Sequence, residues 1–310
     1  MSSLRFAGTK VARSLLTMLV VLVFVFVILR VTGDPAELML PDDATEQQIA
    51  ALRARWGLDE PLPVQFAIYV RAVLSGDFGT SFRTRLPVMQ MIAQAFPRTV
   101  LLMSVSIVFS FALAIPTGVF AAIRRGSFAD QAIMGLAVFG FSMPDFFFGI
   151  LLLFLFSLRL GWLPAAGSES AAHLVMPVLT LGTSSIGSFA RFTRSAMLQT
   201  LGSGYIRTVV AQGVPWRRIL YRHALPNAAI PIVTLLGTSI GGIVTGSVVV
   251  ETVFGWPGLG RLLVRSVGYR DLPVVQGLVI IMACSIIVAH LFVDVLYSAL
   301  DPRIRIGGDR

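Results

Sequence analysis

Six apolar stretches restrict the fold of this chain more than any other feature. A transmembrane helix needs about 20 mainly apolar residues. Stretches of that kind occur at residues 14–31, 99–123, 131–157, 174–190, 228–250 and 276–299. Charged residues make up only 13% of the chain, whereas a soluble domain carries about 25%, so too little polar surface remains to coat a globule. The sequence therefore predicts an all-α polytopic membrane protein with six transmembrane helices in a lipid bilayer.

The distribution of basic residues predicts the orientation of these spans. With the N-terminus inside, the inner segments hold fourteen basic and three acidic residues, whereas the outer segments hold equal numbers of the two. Basic residues collect on the cytoplasmic side of membrane proteins, which predicts that both termini are cytoplasmic. The first stretch follows a basic N-terminus and has no cleavage motif after it, so we expect a retained span and not a signal peptide.

The spans and their orientation divide the chain into four parts. The cytoplasmic N-terminus with the first span (1–31) precedes a small extracytoplasmic insertion (32–97), in which we predict short helices. A core of five spans (98–300) contains a cytoplasmic loop at 201–227, and a cytoplasmic tail (301–310) follows. The insertion has too few residues to be an enzyme domain of its own.

The sequence motifs of nucleotide hydrolysis and metal chemistry are absent. There is no GxxxxGK[ST] or HExxH pattern, the three histidines are scattered, and the single cysteine, Cys284, lies in an apolar run. No basic stripe with aromatic residues indicates nucleic-acid binding. We therefore predict no catalytic residue, no metal site, no cofactor and no nucleic-acid partner. Energy for uphill transport would have to come from a partner protein or an ion gradient.

The basic loop between the fourth and fifth stretches is too polar to cross a bilayer. It predicts a short helix over 205–211, a turn at Gly213, where glycine needs no Cβ, and a second helix that begins near Pro215 and ends at Pro226. The apolar stripe of this second helix would consist of Trp216, Ile219, Leu220 and His223. Physics alone leaves two hypotheses: a helix lying on anionic lipid, or a helix that docks in a groove of a cytoplasmic partner.

The spacing of this loop resembles the EAA loop of ABC-transporter permeases. In that loop Glu-Ala-Ala-x-x-x-Gly is followed after nine residues by Ile-x-Leu-Pro, and Gly213, Leu225 and Pro226 match it. The Glu-Ala-Ala and Ile places are occupied by Arg207, Thr208, Val209 and His223. Relatives usually have Arg-Thr-Ala-Arg-Ala-Lys-Gly at the turn, whereas this chain has Arg-Thr-Val-Val-Ala-Gln-Gly, so two positive charges are missing.

Further motifs, in order along nearly the whole chain, resemble the dipeptide/oligopeptide permease family. They are GDPAELM (33–39), GLDEPLPVQF (57–66), GDFGTSFRTRLPV (76–88), IPTGVFAAIRRGSFAD (115–130), LRLGWLPAAG (158–167), VVVETVFGWPGLGRLLV (248–264) and LFVDVLYSALDPRIR (291–305). The large loop after the first span resembles the first of the two permease partners in that family. One departure is Thr32, where relatives commonly have proline before the Gly-Asp-Pro motif.

The resemblance implies a type I ABC importer (MetI-like) permease fold in the bacterial inner membrane and one half of a heterodimeric pore. The implied partners are a second homologous permease, two cytoplasmic ABC ATPase subunits and an external substrate-binding protein. The 201–227 loop then contains a coupling helix that docks on an ATPase. The implied docking residues are Arg207, Thr208, Val209, Ala211, Gly213, Trp216, Arg217, His223, Leu225 and Pro226. Short peptides are the favoured substrates, with glutathione, nickel complexes, sugars and opines as alternatives.

Ionisable residues inside the apolar stretches are further candidates for function. Asp145 follows Pro144 in the third stretch, and a charge at membrane depth marks a functional candidate. With Met143, these residues are assigned to the translocation path, where Asp145 would meet the amino group of a peptide. The structural alternative is a hydrogen bond to neighbouring helices. His290 and Asp294, four residues apart, favour a structural hydrogen bond over a proton relay.

The segment ETVFGWPGLGRLLVRSVGYRD, Glu251 to Asp271, predicts a re-entrant or interfacial hairpin on the outer side. Such a hairpin would contact the binding protein or close an external gate. At the inner interface, the side chains of Arg191 and Arg194 are expected to extend toward the lipid headgroups (snorkelling).

Two rival classes of protein find no support in the sequence. A stand-alone ion-coupled transporter would show inverted repeats, and an intramembrane enzyme would need a nucleophile and a base or a metal site.

Overall fold

In this computed structural model, residues 3–31, 45–56, 58–241 and 247–300 are described, some of them by their backbone alone. The helices are α1 Ser3–Val31, α2 Glu46–Trp56, α3 Leu62–Leu74, α4 Val88–Ile123, α5 Phe128–Ser142, α6 Asp145–Leu152, α7 Ala172–Leu201, α8 Gly204–Ala211, α9 Trp216–Arg218, α10 Leu225–Gly241, α11 Val248–Val253, α12 Leu259–Gly268 and α13 Leu272–Leu300. A π-helical segment, Leu153–Arg159, continues α6, and another, Ile219–Ala224, joins α9 to α10. The predicted all-α class is confirmed. The predicted tail (301–310) and the first part of the insertion (32–44) lie outside the described residues.

Three helical segments of the described chain are long and apolar enough to cross a membrane. They are Val88–Ile123, Trp216–Gly237 and Leu272–Leu291, and the bent pair α5 and α6 makes a fourth if it counts as one span. The apolar part of α1, Ala12–Ile28, is shorter than a span needs. Helix α7 is long enough, but its small and polar residues make it less apolar than these segments. Six spans therefore stay a prediction.

The third apolar stretch differs from the continuous span predicted at 131–157. It is broken between Ser142 and Asp145, and the two halves are bent by 98°. The residue before a proline is pushed out of the α region by the proline ring, and Met143 accordingly has φ −84° and ψ 124°. Pro144 then precedes the first turn of α6. The break places Asp145 at the start of a helix.

Glycines allow close helix contacts around α7, where small residues dilute the fourth apolar stretch. A Cβ on Gly118 of α4 would lie 2.6 Å from the Ala190 carbonyl oxygen, and Gly187 faces the carbonyl of Ala137 on α5. Glycine is common at such contacts in membrane proteins because it lets two backbones approach. The small residues of α7 therefore serve packing.

The described chain forms two compact units. One contains the chain up to Pro97 together with Leu262–Val288, and the other contains Arg98–Arg261 and resumes at Ala289.

In the first unit, a buried carboxylate ties two loops together. Asp271 is 4% exposed and accepts hydrogen bonds from the Ser81 hydroxyl at 2.5 Å and the Phe82 N–H at 2.9 Å. The α1 and α3 helices of the same unit meet through aromatic rings, with Phe26 and Phe66 edge to face at a centroid distance of 5.3 Å.

In the second unit, the buried carboxylate of Glu251 organises the predicted hairpin. One oxygen accepts hydrogen bonds from the hydroxyls of Thr99 and Ser247, both at 2.7 Å, and the other accepts the backbone N–H of Arg261 at 3.1 Å. Thr99 in turn accepts the N–H of Leu259 at 2.8 Å. These bonds satisfy donors in the first turn of α12, which otherwise lack partners within the helix.

Replacing Gly258 by alanine is expected to destabilise the protein. A Cβ there would lie 2.5 Å from the carboxyl carbon of Glu251, and overpacking of this kind costs about 1–3 kcal/mol. The measurement is thermal unfolding of the purified protein, followed by tryptophan fluorescence. Gly268→Ala is the matched control, because nothing lies within 4 Å of a Cβ at that position. Equal unfolding temperatures for the two variants would contradict the packing described above.

Candidate functional site

The predicted coupling loop forms a helical hairpin between α7 and α10. Helix α8 covers Gly204–Ala211, close to the predicted 205–211. Gly213 has φ +75°, and the chain then enters α9 after Pro215. A left-handed φ favours glycine, so the predicted turn is confirmed.

The second helix does not end at Pro226, contrary to the sequence prediction. The π-helical segment Ile219–Ala224 carries the chain directly from α9 into α10, which contains Pro226 in its first turn. A π segment has wider hydrogen-bonded turns, so a proline without an N–H is tolerated there. The nearby carbonyl of His223 accepts two side-chain donors, the Tyr205 hydroxyl at 3.0 Å and the Asn227 amide at 2.7 Å.

An apolar core holds the hairpin to the rest of its unit. Helix α8 contributes Ile206, which is 2% exposed, and the π segment contributes Ile219 and Leu220, which are 2% and 5% exposed. They pack in one cluster with Met197 of α7 and Ala122 of α4. Burying side chains of this size stabilises by about 1.5–3 kcal/mol each. The hairpin is therefore fixed to two long helices.

The predicted apolar stripe is wrong in one position. Ile219 and Leu220 are buried, but Trp216 is 49% exposed on the opposite side and His223 is half-buried. With a helix of only Trp216–Arg218 before the π segment, the 3.6-residue spacing assumed for the stripe does not continue. Trp216 belongs to the outer surface of the hairpin.

That outer surface is a mixed aromatic and basic face, which we call the hairpin platform. Its exposed residues are Tyr205, Arg207, Thr208, Val210, Ala211, Gln212, Gly213, Pro215, Trp216, Arg217, Arg218, Tyr221 and Arg222. Of the ten predicted docking residues, Arg207, Thr208, Ala211, Gly213, Trp216, Arg217 and Pro226 are exposed. The other three, Val209, His223 and Leu225, are half-buried. Aromatic and arginine side chains are the types enriched at interface centres.

A bidentate ion pair connects α5 to α7 next to this core. The Arg194 guanidinium donates to the Asp130 carboxylate at 2.6 and 2.7 Å, and the Gly126 N–H donates to the same carboxylate at 2.9 Å. Asp130 is buried at 3% exposure. The expectation that Arg194 snorkels is therefore wrong, because it has a buried anion within reach. Arg191 is exposed, with its guanidinium 5.1 Å from the ring centre of Phe141.

Asp145 is half-buried and lines a cavity of about 250 Å³ in the second unit. It forms a side-chain hydrogen bond with Ser184. The other residues that line the cavity are Met103, Ser106, Ile107, Ser110, Leu181, Ser185, Phe189 and Ser239. Of the other residues assigned to the path, Met143 is half-buried and Pro144 is exposed, and neither lines the cavity. His290 is exposed, and the side chain of Asp294 lies outside the described residues.

The loops joined by Asp271 carry exposed arginines. Arg85 and Arg270 have φ of +60° and +55°, a conformation that is strained for residues with a Cβ. The Arg83 guanidinium lies 3.3 Å from the ring centre of Tyr269. A hydrogen bond from Arg83 and its charge, together with Arg265, lower the pKa of the Tyr269 phenol below its usual value. In the described part of the chain, none of these arginines pairs with a carboxylate.

Sequence reasoning missed the three buried carboxylates. In the sequence, Asp130, Glu251 and Asp271 stand out only as charges or as ends of motifs, yet each accepts several hydrogen bonds. A signal was present, since Gly126, Gly255 and Gly268 lie three or four residues from them, and turns at such glycines leave N–H groups without partners.

These features define the transmembrane part of a transporter, with apolar helices and a rigid hairpin exposed between two of them. The family described as "Binding-protein-dependent transport system inner membrane component" matches residues 114–306. A companion family, "Binding-prot-dependent transport system membrane comp, N-term", matches residues 3–103. The chain belongs to this family and is a permease component of a binding-protein-dependent ABC importer of the inner membrane, which works with ATPase and binding-protein partners.

Similar proteins agree with this assignment. The chain is 46% identical over 290 residues to the glutathione transport system permease protein GsiC of Salmonella choleraesuis (strain SC-B67), covering 94% of each chain. It is 44% identical over 285 residues to the protein of the same name in Escherichia coli (strain K12), covering 92% of this chain and 93% of the relative.

Solved structures show the fold. An inward-facing structure of the MetNI methionine ABC transporter matches with a TM-score of 0.57 and 19% identity, covering 69% of this chain and 97% of that one. A crystal structure of an amino acid ABC transporter with histidines matches with a TM-score of 0.53 and 16% identity, covering 68% and 94%. The expected MetI-like fold is confirmed.

Removing Arg194 is expected to lower the unfolding temperature, because Arg194→Leu leaves the buried Asp130 carboxylate without its bidentate partner. The double variant Asp130→Asn/Arg194→Gln should recover much of the loss, since no unpaired charge remains. Thermal unfolding of the purified variants measures this, with Arg191→Leu as the control for loss of an exposed arginine. A double variant less stable than Arg194→Leu would contradict the assignment.

Proposed function

We propose that this permease forms half of a translocation pore for short peptides or glutathione, together with a second homologous permease. Two cytoplasmic ATPase subunits drive the pore, and an external binding protein delivers the substrate. Relatives named as glutathione permeases over 94% of the chain support this substrate class. The observation that carries the proposal is the hairpin platform, an exposed surface rigidly joined to a membrane-spanning helix.

The hairpin platform docks on an ATPase. ATP-driven closure of the ATPases has to move the spans, and a docking element transmits motion only if it does not give way itself. The anchor of Ile206, Ile219 and Leu220 provides that stiffness, and the π segment leaves no flexible loop before α10. The platform therefore acts as a lever on the fifth predicted span.

The lipid hypothesis fits this geometry less well. A helix that lies on lipid turns its apolar face outward toward the acyl chains. Here Ile219, Leu220 and Ala224 face the protein core, while the outer face mixes Trp216 and Tyr221 with arginines. A mixed aromatic and basic surface suits a protein groove.

The proposed orientation of the hairpin and of both termini in the membrane follows from the distribution of basic and acidic residues. The segments on the side of the hairpin hold fourteen basic and three acidic residues, which favours the cytoplasmic side for the hairpin and both termini. The loops that carry Arg83, Arg85 and Arg270, and the end of α12 that carries Arg265, then face the outside.

These four arginines form an outer docking surface for the binding protein. Arg83, Arg85 and Arg270 are exposed on the loops that Asp271 joins, and Arg265 is exposed in the last turn of α12. A basic patch without acidic partners in the described chain attracts an acidic surface and raises the rate of encounter. The partner region of the binding protein is therefore acidic.

The proposed translocation path runs between the two sides of the membrane. Met143, Pro144 and Asp145 lie at the break of the third predicted span, where they line the route of the substrate.

Changes on the hairpin platform should uncouple ATP hydrolysis from uptake while the spans stay folded. Trp216→Ala should weaken ATPase binding about 10- to 30-fold, as expected for an aromatic hot spot, and Ala211→Glu should block seating. Gly213→Trp should act in the same way, although its left-handed backbone adds strain. The measurements are ATPase affinity in a binding titration and uptake in proteoliposomes. Phe128→Ala, which removes an aromatic side chain that is 86% exposed, is the control. Normal affinity and uptake in all three platform variants would refute the docking assignment.

The double variant Arg85→Glu/Arg270→Glu should raise the concentration of binding protein needed for half-maximal uptake about tenfold, because like charges now face each other. The maximal rate should stay near wild type, since the spans and the Arg83–Tyr269 contact are untouched. Uptake is measured against binding-protein concentration at two salt concentrations. Arg71→Glu, an exposed charge reversal on α3, is the control. The same shift in the control, or no shift in the double variant, would rule out this docking surface.

A further inference from the structure

The cavity beside Asp145 has an unusual polar lining for the interior of a membrane protein. Five serines line it, together with one carboxylate and apolar side chains, and no residue that lines it in the described chain carries a positive charge. We therefore expect a polar group to occupy this cavity.

The hydrogen bonds of these serines determine what the cavity offers. Ser106 donates its hydroxyl to the Leu102 carbonyl at 2.7 Å, Ser110 donates to the Ser106 carbonyl at 2.7 Å, and Ser239 donates to the Leu235 carbonyl at 2.9 Å. Each hydroxyl proton is therefore already used within its own helix. What remains on each oxygen is its lone pairs, so these serines act as acceptors toward the cavity.

The Asp145 carboxylate is the one formal charge among the residues that line the cavity in the described chain. Asp145 is the first residue of α6, where the helix dipole stabilises an anion, and Ser184 is its hydrogen-bonding neighbour. No cationic side chain neutralises it in the lining described above. The site thus combines a negative charge with the acceptor oxygens of at least three of its five serines.

We infer that this cavity binds the primary ammonium group of the substrate during its passage. An ammonium carries one positive charge and three N–H donors, which match one carboxylate and surrounding hydroxyl acceptors. The cavity, at about 250 Å³, is smaller than the roughly 300–1,000 Å³ of sites that enclose whole ligands. It therefore holds the amino end of a substrate and makes Asp145 a specificity-determining residue. This inference rests on the proposed function, because it assumes that substrates pass this position.

Binding of two probes to the purified permease–ATPase complex, without binding protein and without ATP, tests the inference. The probes are glycylglycine and N-acetylglycylglycine, which differ in the ammonium group, and binding is followed by saturation-transfer NMR. The wild-type complex should bind the free amine about tenfold more tightly, as expected for a charge-assisted hydrogen bond. Asp145→Asn should abolish this preference, and Asp145→Glu should retain part of it.

Controls separate recognition from folding and from other cations. Glu169→Gln neutralises an exposed carboxylate outside the cavity and should keep the preference. Exchange of sodium for choline at constant ionic strength should leave amine binding unchanged. Sodium that displaces the amine in an Asp145-dependent manner would identify a metal-ion site and overturn the inference. Equal binding of the two probes by the wild type, or an equal loss for both in Asp145→Asn, would also overturn it.

Failure here is distinguishable from failure of the proposed function. Uptake of glutathione by the complete transporter with its binding protein reports on the proposed function and does not depend on which group Asp145 contacts. An absent amine preference with intact, ATP-dependent uptake would leave the importer in place and remove only the ammonium site.

Discussion

Buried carboxylates accept backbone N–H groups at turns, and the positions of the other functional parts depend on this interaction. A helix that ends near a membrane leaves donors that lipid cannot satisfy. Asp130 accepts the N–H of Gly126, Glu251 accepts that of Arg261, and Asp271 accepts that of Phe82. In each case the same carboxylate also binds a side chain from a distant part of the sequence. One acidic residue thus closes a turn and determines which helices or loops meet there. A hydrophobic contact has no preferred direction and specifies such a meeting less well.

This explains how a small surface can work as a lever. The hairpin platform would slide on its core if it were held by apolar packing alone, because such packing tolerates small shifts. Its core includes Met197 of α7, and three residues earlier on the same helix Arg194 is clamped to Asp130 in a bidentate geometry. The π segment meanwhile carries the backbone from the platform into α10 without an intervening loop. In the proposed docking, force applied at Trp216 would reach a long helix through a continuous backbone, while a neighbouring helix is held by its ion pair.

The sequence was sufficient for the helical class, the turn at Gly213 and the position of the hairpin, because apolar length and glycine placement are local signals. It was insufficient at Pro226 and at the break before Asp145, where the outcome depends on partners elsewhere. Pro226 lies within a continuous helical path because the π segment Ile219–Ala224 leads directly into α10, and the nearby His223 carbonyl accepts donors from Tyr205 and Asn227. Trp216 was placed on the wrong face because regular spacing was assumed through that segment. Arg194 was expected to reach lipid headgroups because its partner, Asp130, is 64 residues away in the chain.

The free-energy cost of placing the Asp145 carboxylate within a membrane span is relevant to where substrate selectivity would arise. A carboxylate near the middle of a span costs about 2.5–3.5 kcal/mol on insertion scales, and the structural carboxylates of this chain offset comparable costs with two or more strong donors each. Asp145 has the hydrogen bond with Ser184 and the field of one helix start, and three of the serines that line the cavity with it, Ser106, Ser110 and Ser239, give their protons to backbone carbonyls. A residue kept for packing would be better replaced by an apolar one. In the proposed ammonium site, a passing cation would offset the remaining cost only while it is bound, which is compatible with discrimination followed by release.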